Sequence, residues 1–278
     1  MSMPRNLILM RHGQSEGNVV SKMDKKGDQS AFTDEFKLRP SHTWRLTDMG
    51  IWQAQQASQW IHQEFNDLLP FDGHLVSWYH RAMETAYYLN LPDALWRPYY
   101  HLREQDWGMF DVMPNSQREE MLPLEWARRK QNRLYWTAPG GESMADLTVR
   151  LMTILGTLHR EFAGKDVIIV CHGAVMWAFR VLLERMSEAR YMELDNSKDP
   201  YDQIHNCQII QYSRVSPETG DLNPYLRWCR SVCPWDMTKS SNNWQENIIK
   251  KLSNDELLAY VNNQKRMINN PAPTKNGE

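Results

Sequence analysis

Two apolar runs in this chain end on a histidine followed by a glycine. Leu7-Ile8-Leu9-Met10 leads into Arg11-His12-Gly13, and Val167-Ile168-Ile169-Val170 leads into Cys171-His172-Gly173. Short continuous apolar runs of this kind read as strands from the middle of a parallel sheet, buried on both faces. Such sheets bind ligands at the carboxyl ends of their strands, which is where both His-Gly pairs fall. The planar fork of Arg11 suits an anion, since it can hold two phosphate or carboxylate oxygens at once. Beside it, His12 can serve as a nucleophile or as an acid or base near neutral pH.

The elements that must position these residues follow in order along the chain. Residues 19–45 are polar with little apolar periodicity and read as a long loop. Thr47 caps a helix that runs to about Phe65. His74–Ser77 is a short strand leading into helix-like sequence to Ala86, and Pro98–Leu102 can form a third strand. Residues 109–139 mix Pro, Trp, Arg and Glu, with a helical insertion over 117–133 placed as a cap on the site. After the turn Pro139–Ser143, Leu147, Leu151, Ile154, Leu155 and Leu158 recur at helical spacing, predicting a helix over 144–162. Asp166–Val170 is the clearest central strand, followed by a helix over 174–183 and an irregular polar stretch over 187–203. A strand over 206–212, an edge strand over 226–232 and a helix opened by the capping box Ser253–Glu256 complete the chain, with a Pro- and Asn-rich flexible tail from Asn269. The implied domains are residues 1–225 and a C-terminal extension over 226–278.

Composition narrows the classes. The 278 residues are 41% hydrophobic and 24% charged, ordinary values for a globular protein. With 32 basic against 34 acidic side chains, neither a nucleic-acid partner nor a polybasic membrane anchor is expected. The first apolar run is too short for a signal peptide, and no stretch is long enough to span a bilayer. Cys171, Cys207, Cys229 and Cys233 form neither a disulfide framework nor a zinc pattern, so a cytoplasmic setting with reduced thiols is expected. Among the twelve tryptophans, Trp44, Trp107, Trp126 and Trp136 would suit an organic phosphate or peptide.

Arg11-His12-Gly13-Gln14-Ser15 with Asn18 resembles the signature of the histidine phosphatase superfamily, phosphoglycerate mutase-like branch, over residues 5–215. Leu46–Gly50 with Gln53-Ala54 is similar to the first-helix motif of that family, though a capped amphipathic helix explains those residues by itself. Ser77, Arg81, Thr85 and Ala86 match a second motif, in which an arginine at a helix start faces the phosphate. A helix N-terminus favours an anion there on physical grounds too. Leu102, Glu104 and Gly108 resemble the motif whose glutamate protonates the leaving group; Asp106 competes for that role. His172 fits the family's second histidine, and Glu142 an orienting position. The late strand opening Asn206-Cys207 is also similar.

The resemblance implies a three-layer α/β/α fold, a mostly parallel sheet with helices on both faces and helical insertions over the active site. It implies that His12 becomes phosphorylated, that Arg11, Asn18, Arg81, His172 and Gly173 hold the phosphoryl oxygens, and that Glu104 is the proton donor. Neither metal nor cofactor is expected, and the partner would be a small-molecule or peptide phosphomonoester. Mutases of the family usually carry glutamate and tryptophan where this chain has Gln14 and Gly17. Their later motifs also differ from Trp78-Tyr79-His80 and Gln105-Asp106-Trp107. These departures favour a phosphatase over a mutase-type phosphotransferase. A non-catalytic phosphate-binding protein is the alternative from another class.

Overall fold

Leu7 to Met10 are fully buried, and their side chains divide between two cores. Leu7 and Leu9 join one cluster with the helical leucines Leu147, Leu151 and Leu158; Ile8 and Met10 join the other with Ala54, Ala57 and Ile61. The two-residue repeat of a strand thus feeds both faces of a sheet. In the computed structural model, which describes residues 2–270, this strand is β1 (Asn6–Arg11).

Six further strands complete a single sheet: β2 (Gly73–Ser77), β3 (Trp96–Tyr99), β4 (Asp166–Cys171), β5 (Ile209–Ser213), β6 (Trp228–Val232) and β7 (Gln245–Glu246). Their order is β3-β2-β4-β1-β5-β6-β7. The pairings among β3, β2, β4 and β1 are parallel, and those from β1 outward to β7 are antiparallel. In register, Arg11 lies opposite Cys171, so His12 and His172 leave adjacent strands side by side. Helices α3 (Asp48–Glu64) and α4 (His80–Tyr88) cover one face; α7 (Met144–Glu161) and α8 (Gly173–Leu183) cover the other. This is a three-layer α/β fold.

The polar stretch 19–45 is more ordered than its composition implies. Ser15 and Asn18 form a reciprocal cap that starts α1 (Glu16–Asp24), and α2 (Asp34–Leu38) follows, capped by Thr33. Such caps satisfy the first-turn amides without help from an apolar face, which is why periodicity missed both helices. The third strand ends at Tyr99, and Tyr100–Leu102 form a 3₁₀ turn instead of continuing it. The insertion is two short helices, α5 (Asn115–Met121) and α6 (Pro123–Gln131), separated by Leu122. They rest on a small core of Phe110, Trp126 and Ala138. Residues 187–203 include α9 (Glu188–Asn196), capped by Ser187.

The chain divides into units Met1–Asn247 and Ile248–Glu278, so the sheet continues past residue 225. The second unit holds α10 (Asn254–Asn262), opened by the Ser253–Glu256 box. The tail beyond Asn270 lies outside the described residues. Among the described residues no helix is long and apolar enough to cross a membrane.

Candidate active site

His12 sits at the end of β1, where the chain leaves the sheet. Its backbone carbonyl accepts from the Cys207 amide (3.2 Å) and from Asn206 Nδ2 (3.1 Å). The next residues are held as firmly: the Gly13 amide donates to Thr85 Oγ1 (3.0 Å), and the Gln14 amide to Gln53 Oε1 (2.9 Å). Gln53 and Thr85, both buried, therefore position the turn that carries the histidine.

Two hydrogen bonds fix the His12 tautomer. Nδ1 lies 2.6 Å from the Gly13 carbonyl, which can only accept, so Nδ1 carries the proton. Nε2 accepts from Arg81 Nε at 3.2 Å, so its lone pair is unprotonated. Burial, then the charges of Arg81 and Arg11, hold the His12 pKa well below 6.5 against a smaller opposing effect of the Gly13 bond. The ring is a neutral imidazole with its free nitrogen facing a cation.

His172, fully buried, lies with its ring centroid 5.2 Å from that of His12. Its Nε2 is 2.8 Å from Ser77 Oγ, and Nδ1 is buried without a partner. Burial is again the first cause of a pKa well below 6.5, followed by Arg81 and His12. Arg11 donates from Nη1 to the Ile204 carbonyl (2.6 Å), while its buried Nε has no partner. Gly173 stands against that guanidinium: a Cβ there would come within 3.4 Å of Nε. Two unpartnered buried nitrogens thus belong to residues flanking His12; that of Arg11 is a donor, and a buried donor left unpaired is costly until a ligand oxygen meets it.

Asn18 is committed through one end only. Its Oδ1 accepts from the Ser15 amide (3.1 Å) and from Asn206 Nδ2 (2.9 Å), leaving the Asn18 amide NH₂ for a ligand. His12, Asn18, Arg81 and Glu104 line a single cavity of about 650 Å³. Arg11, His172 and Gly173 are not among the residues lining it. Trp44, Trp107 and Trp126 also face the cavity, whereas Trp136 packs on Phe110 at 6.0 Å instead.

Glu104 and Asp106 both reach the cavity, but their bonding differs. Asp106 Oδ1 accepts the Gly108 amide (2.8 Å) and closes a tight turn. Glu104 makes only a local contact, accepting the Gln105 amide (2.9 Å). Its loop is pinned from behind by Arg150, whose Nη2 donates to the carbonyls of Arg103 (2.9 Å) and Glu104 (3.2 Å). Glu142 in turn grips Arg150 through both carboxylate oxygens (2.8–3.1 Å), which gives that residue an orienting role. Arg150 was not legible from sequence; its signal was only an arginine two turns beyond a glutamate.

Gly17 supplies space. A Cβ on it would collide with the six-membered ring of Trp44, which stacks on Phe36 at 5.0 Å and 13°. The indole occupies room that any larger residue at 17 would need. Among the described residues no three His, Cys, Asp or Glu side chains gather into a metal-holding group.

Residues 7–199 match the family model of the histidine phosphatase superfamily, branch 1. The chain belongs to the histidine phosphatase superfamily. Similar proteins include rat 6-phosphofructo-2-kinase/fructose-2,6-bisphosphatase 3, 28% identical over 210 residues that cover 75% of this chain and 32% of the relative. The chain thus spans about a third of the length of that relative. Solved structures with this fold include mycobacterial glucosyl-3-phosphoglycerate phosphatase with inorganic phosphate. It is 20% identical with a TM-score of 0.57, covering 75% of this chain and 89% of that one. Another is phosphoserine phosphatase from Entamoeba histolytica with 3-phosphoglyceric acid, at 22% and 0.55, covering 76% and 90%.

The buried histidines make the stability of this protein depend on pH. Unfolded, His12 and His172 would protonate near pH 6.5; folded, they stay neutral well below it, so the unfolded state binds more protons. Stability is therefore full above pH 6.5 and falls as pH drops beneath it, by up to about 1.4 kcal/mol per pH unit for each histidine. His74 and His205, also lowered mainly by burial, act in the same direction. We predict that urea unfolding between pH 6.5 and 5 shows this slope, and that His172→Asn, which cannot titrate, reduces it. An unchanged slope in that variant would mean His172 is charged in the folded protein.

Proposed function

We propose that this protein is a phosphomonoester phosphatase that works through a phosphohistidine on His12, without a metal, on a small organic phosphate or phosphopeptide. The observation carrying this reading is the His12 tautomer, with Nε2 unprotonated among Arg81, Arg11 and His172. The Nε2 lone pair accepts from Arg81; a phosphoryl group would take over that donor and expose phosphorus to Nε2.

The steps follow from charge. Nε2 attacks phosphorus as the bond to the leaving oxygen breaks, and Glu104 gives its proton to that oxygen. The Nδ1–H bond to the Gly13 carbonyl steadies the cationic character the ring acquires. Arg81, Arg11 Nε and the Asn18 amide hold the equatorial oxygens, whose charge needs stabilising throughout transfer. A bound dianion reverses the field that keeps His172 neutral and favours its protonated form. Glu104, now a carboxylate, takes a proton from water as water attacks phosphorus, releasing phosphate and neutral His12. All four cysteines are unpaired, which supports a reducing, cytoplasmic setting.

The test is hydrolysis of 4-nitrophenyl phosphate at mildly acid pH, with and without a strong chelator. Turnover should persist in the chelator, because fixed arginine charge does the work of a metal. Loss on chelation, restored by a divalent cation, overturns the metal-free mechanism; no turnover in either condition favours a non-catalytic phosphate-binding protein.

A further inference from the structure

Two groups of aromatic side chains line the cavity of His12, and they differ in what they pack against. Trp107 and Trp126 lie under guanidinium groups: the carbon of Arg129 is 5.1 and 5.0 Å from their ring centroids, and that of Arg118 is 5.2 and 5.8 Å away. Both rings also pack with the small core of the insertion. Phe32, Phe36 and Trp44 come instead from the segment that follows α1, and they pack on one another. Phe36 stacks on Trp44, and Phe32 meets Phe36 edge-on at 6.2 Å and 90°. All three are half-buried, and none belongs to any of the three hydrophobic clusters among the described residues.

The wall these rings form is fixed to the turn that carries His12. Arg39, just beyond α2, donates from Nη1 and Nη2 to the two carboxylate oxygens of Glu16 (3.0 and 2.9 Å), at the start of α1. Glu16 Oε2 also accepts the Arg45 amide (2.7 Å), next to Trp44. Three residues before that tryptophan, the Ser41 carbonyl accepts from Arg81 Nη1 (2.9 Å), and Arg81 is the residue that faces His12 Nε2. The stack is therefore set at a fixed distance from the nucleophile before any ligand arrives. Apolar ring surface held rigidly beside a reactive group, and serving no core, is the kind of surface that a ligand's own apolar part covers.

We propose that the Phe36–Trp44 stack is a leaving-group subsite, so that the preferred substrate is a phosphate monoester whose leaving group carries an aromatic ring. This rests on the phosphatase reading above and narrows it. The substrate ring extends the stack or meets it edge-on, the two arrangements that aromatic pairs favour. Because the wall is tied to Arg81, seating the ring there also fixes how far the ester stands from His12 Nε2. The spacer between ring and ester oxygen is then selected for length. A short spacer corresponds to an aryl or benzyl ester and a long one to an ester of the nucleoside kind. The shared chemistry is the ring, and the probes separate its two sources.

The experiment measures kcat/KM for alkyl phosphates with a spacer of roughly one to five methylenes that ends in a phenyl, a cyclohexyl or a methyl group, a span set by the reach of a cavity of this size. All the leaving alcohols are primary and similar in acidity, so proton donation by Glu104 weighs on them alike. In the wild type, the phenyl ester of one length should exceed its methyl partner by about tenfold or more. It should exceed its cyclohexyl partner by about threefold or more, the margin of ring-on-ring contact beyond apolar area. The spacer length that gives the largest margin identifies which kind of ester the subsite takes. Phe36→Leu and Trp44→Leu, which keep apolar bulk, should bring the phenyl-to-cyclohexyl ratio to about one, and Phe36→Tyr, which keeps the ring, should preserve it. Thermal melts check that the variants fold. A wild-type ratio near one at every length, or a ratio unaltered in both folded leucine variants, overturns the subsite while leaving the phosphatase reading standing. If the wild type hydrolyses none of these esters, the phosphatase reading fails instead. The subsite is then decided by calorimetric binding of phenylalkyl phosphonates against cyclohexylalkyl phosphonates of the same lengths. Tighter binding of a phenyl compound, lost in Phe36→Leu, upholds it, and equal binding overturns it.

Discussion

His12→Ala is predicted to leave a folded protein whose turnover of phosphomonoesters is lower by roughly 10⁴-fold or more, the scale seen when a covalent nucleophile is removed. The loss should be this large because, among the described residues that line the cavity, His12 is the one histidine, and His172 has Nε2 engaged by Ser77. The fold should survive because the bonds that place residue 12 are made by its backbone carbonyl, to Cys207 and Asn206, and the substitution keeps them. What is lost is the Gly13 carbonyl contact, the bond from Arg81 Nε and some packing, on the order of 1–3 kcal/mol against a total stability of about 5–15 kcal/mol. Rapid quench of the wild type should trap an acid-labile, base-stable phosphoryl group on His12. A folded alanine variant with near wild-type hydrolysis, or consistent failure to trap the adduct, would return the reaction to direct attack by water.

Glu104→Gln should be the next most damaging change, and selectively so. General acid catalysis contributes about 10²–10⁴-fold, and it matters most when the leaving oxygen is a poor one. The phosphorylation step with an alkyl phosphate should slow by that factor, while 4-nitrophenyl phosphate, whose phenolate departs unassisted, should lose far less. The measurement must isolate phosphorylation by rapid quench, because the same carboxylate later activates water. Asp106→Asn should show no such dependence on the leaving group. Its carboxylate is already committed to the Gly108 amide, in a turn whose own carbonyl at 106 accepts the Glu142 amide at 2.9 Å. Selective loss in Asp106→Asn instead of Glu104→Gln would exchange the two roles.

Residues that act through their type at a strand end were legible in the sequence. The apolar runs before His12 and His172 named their strands, whereas their pairing with Arg11 opposite Cys171 is seen only in the fold. The helix over 144–162 was equally plain, since its leucines repeat at helical spacing. Elements held by caps were not. The first two helices and the one over 188–196 bury few apolar residues and owe their starts to Ser15, Thr33 and Ser187, a local signal easily lost in polar sequence. Long-range polar ties were the least visible. Nothing near Arg150 says that its guanidinium will reach the carbonyls of 101–104, and nothing near Arg129 says that three tryptophans will enclose it. Such contacts depend on which loops the fold brings together, and they decide how well the site is held and which substrate fits.

The glycine at 17 and the indole at 44 constrain how this site can change over evolutionary time. Because even one added carbon at 17 strikes the Trp44 ring, the two positions cannot drift independently. A gene that acquires a bulky codon at 17 must already have lost the tryptophan at 44, or must displace the segment that stacks it on Phe36. A route that keeps this segment in place therefore passes through an intermediate with a small residue at both positions and an enlarged, less selective cavity. Glycine at 17 together with tryptophan at 44 should consequently be inherited as a pair, and the pair would mark the lineage that shares this cavity more sharply than the Arg-His-Gly signature does.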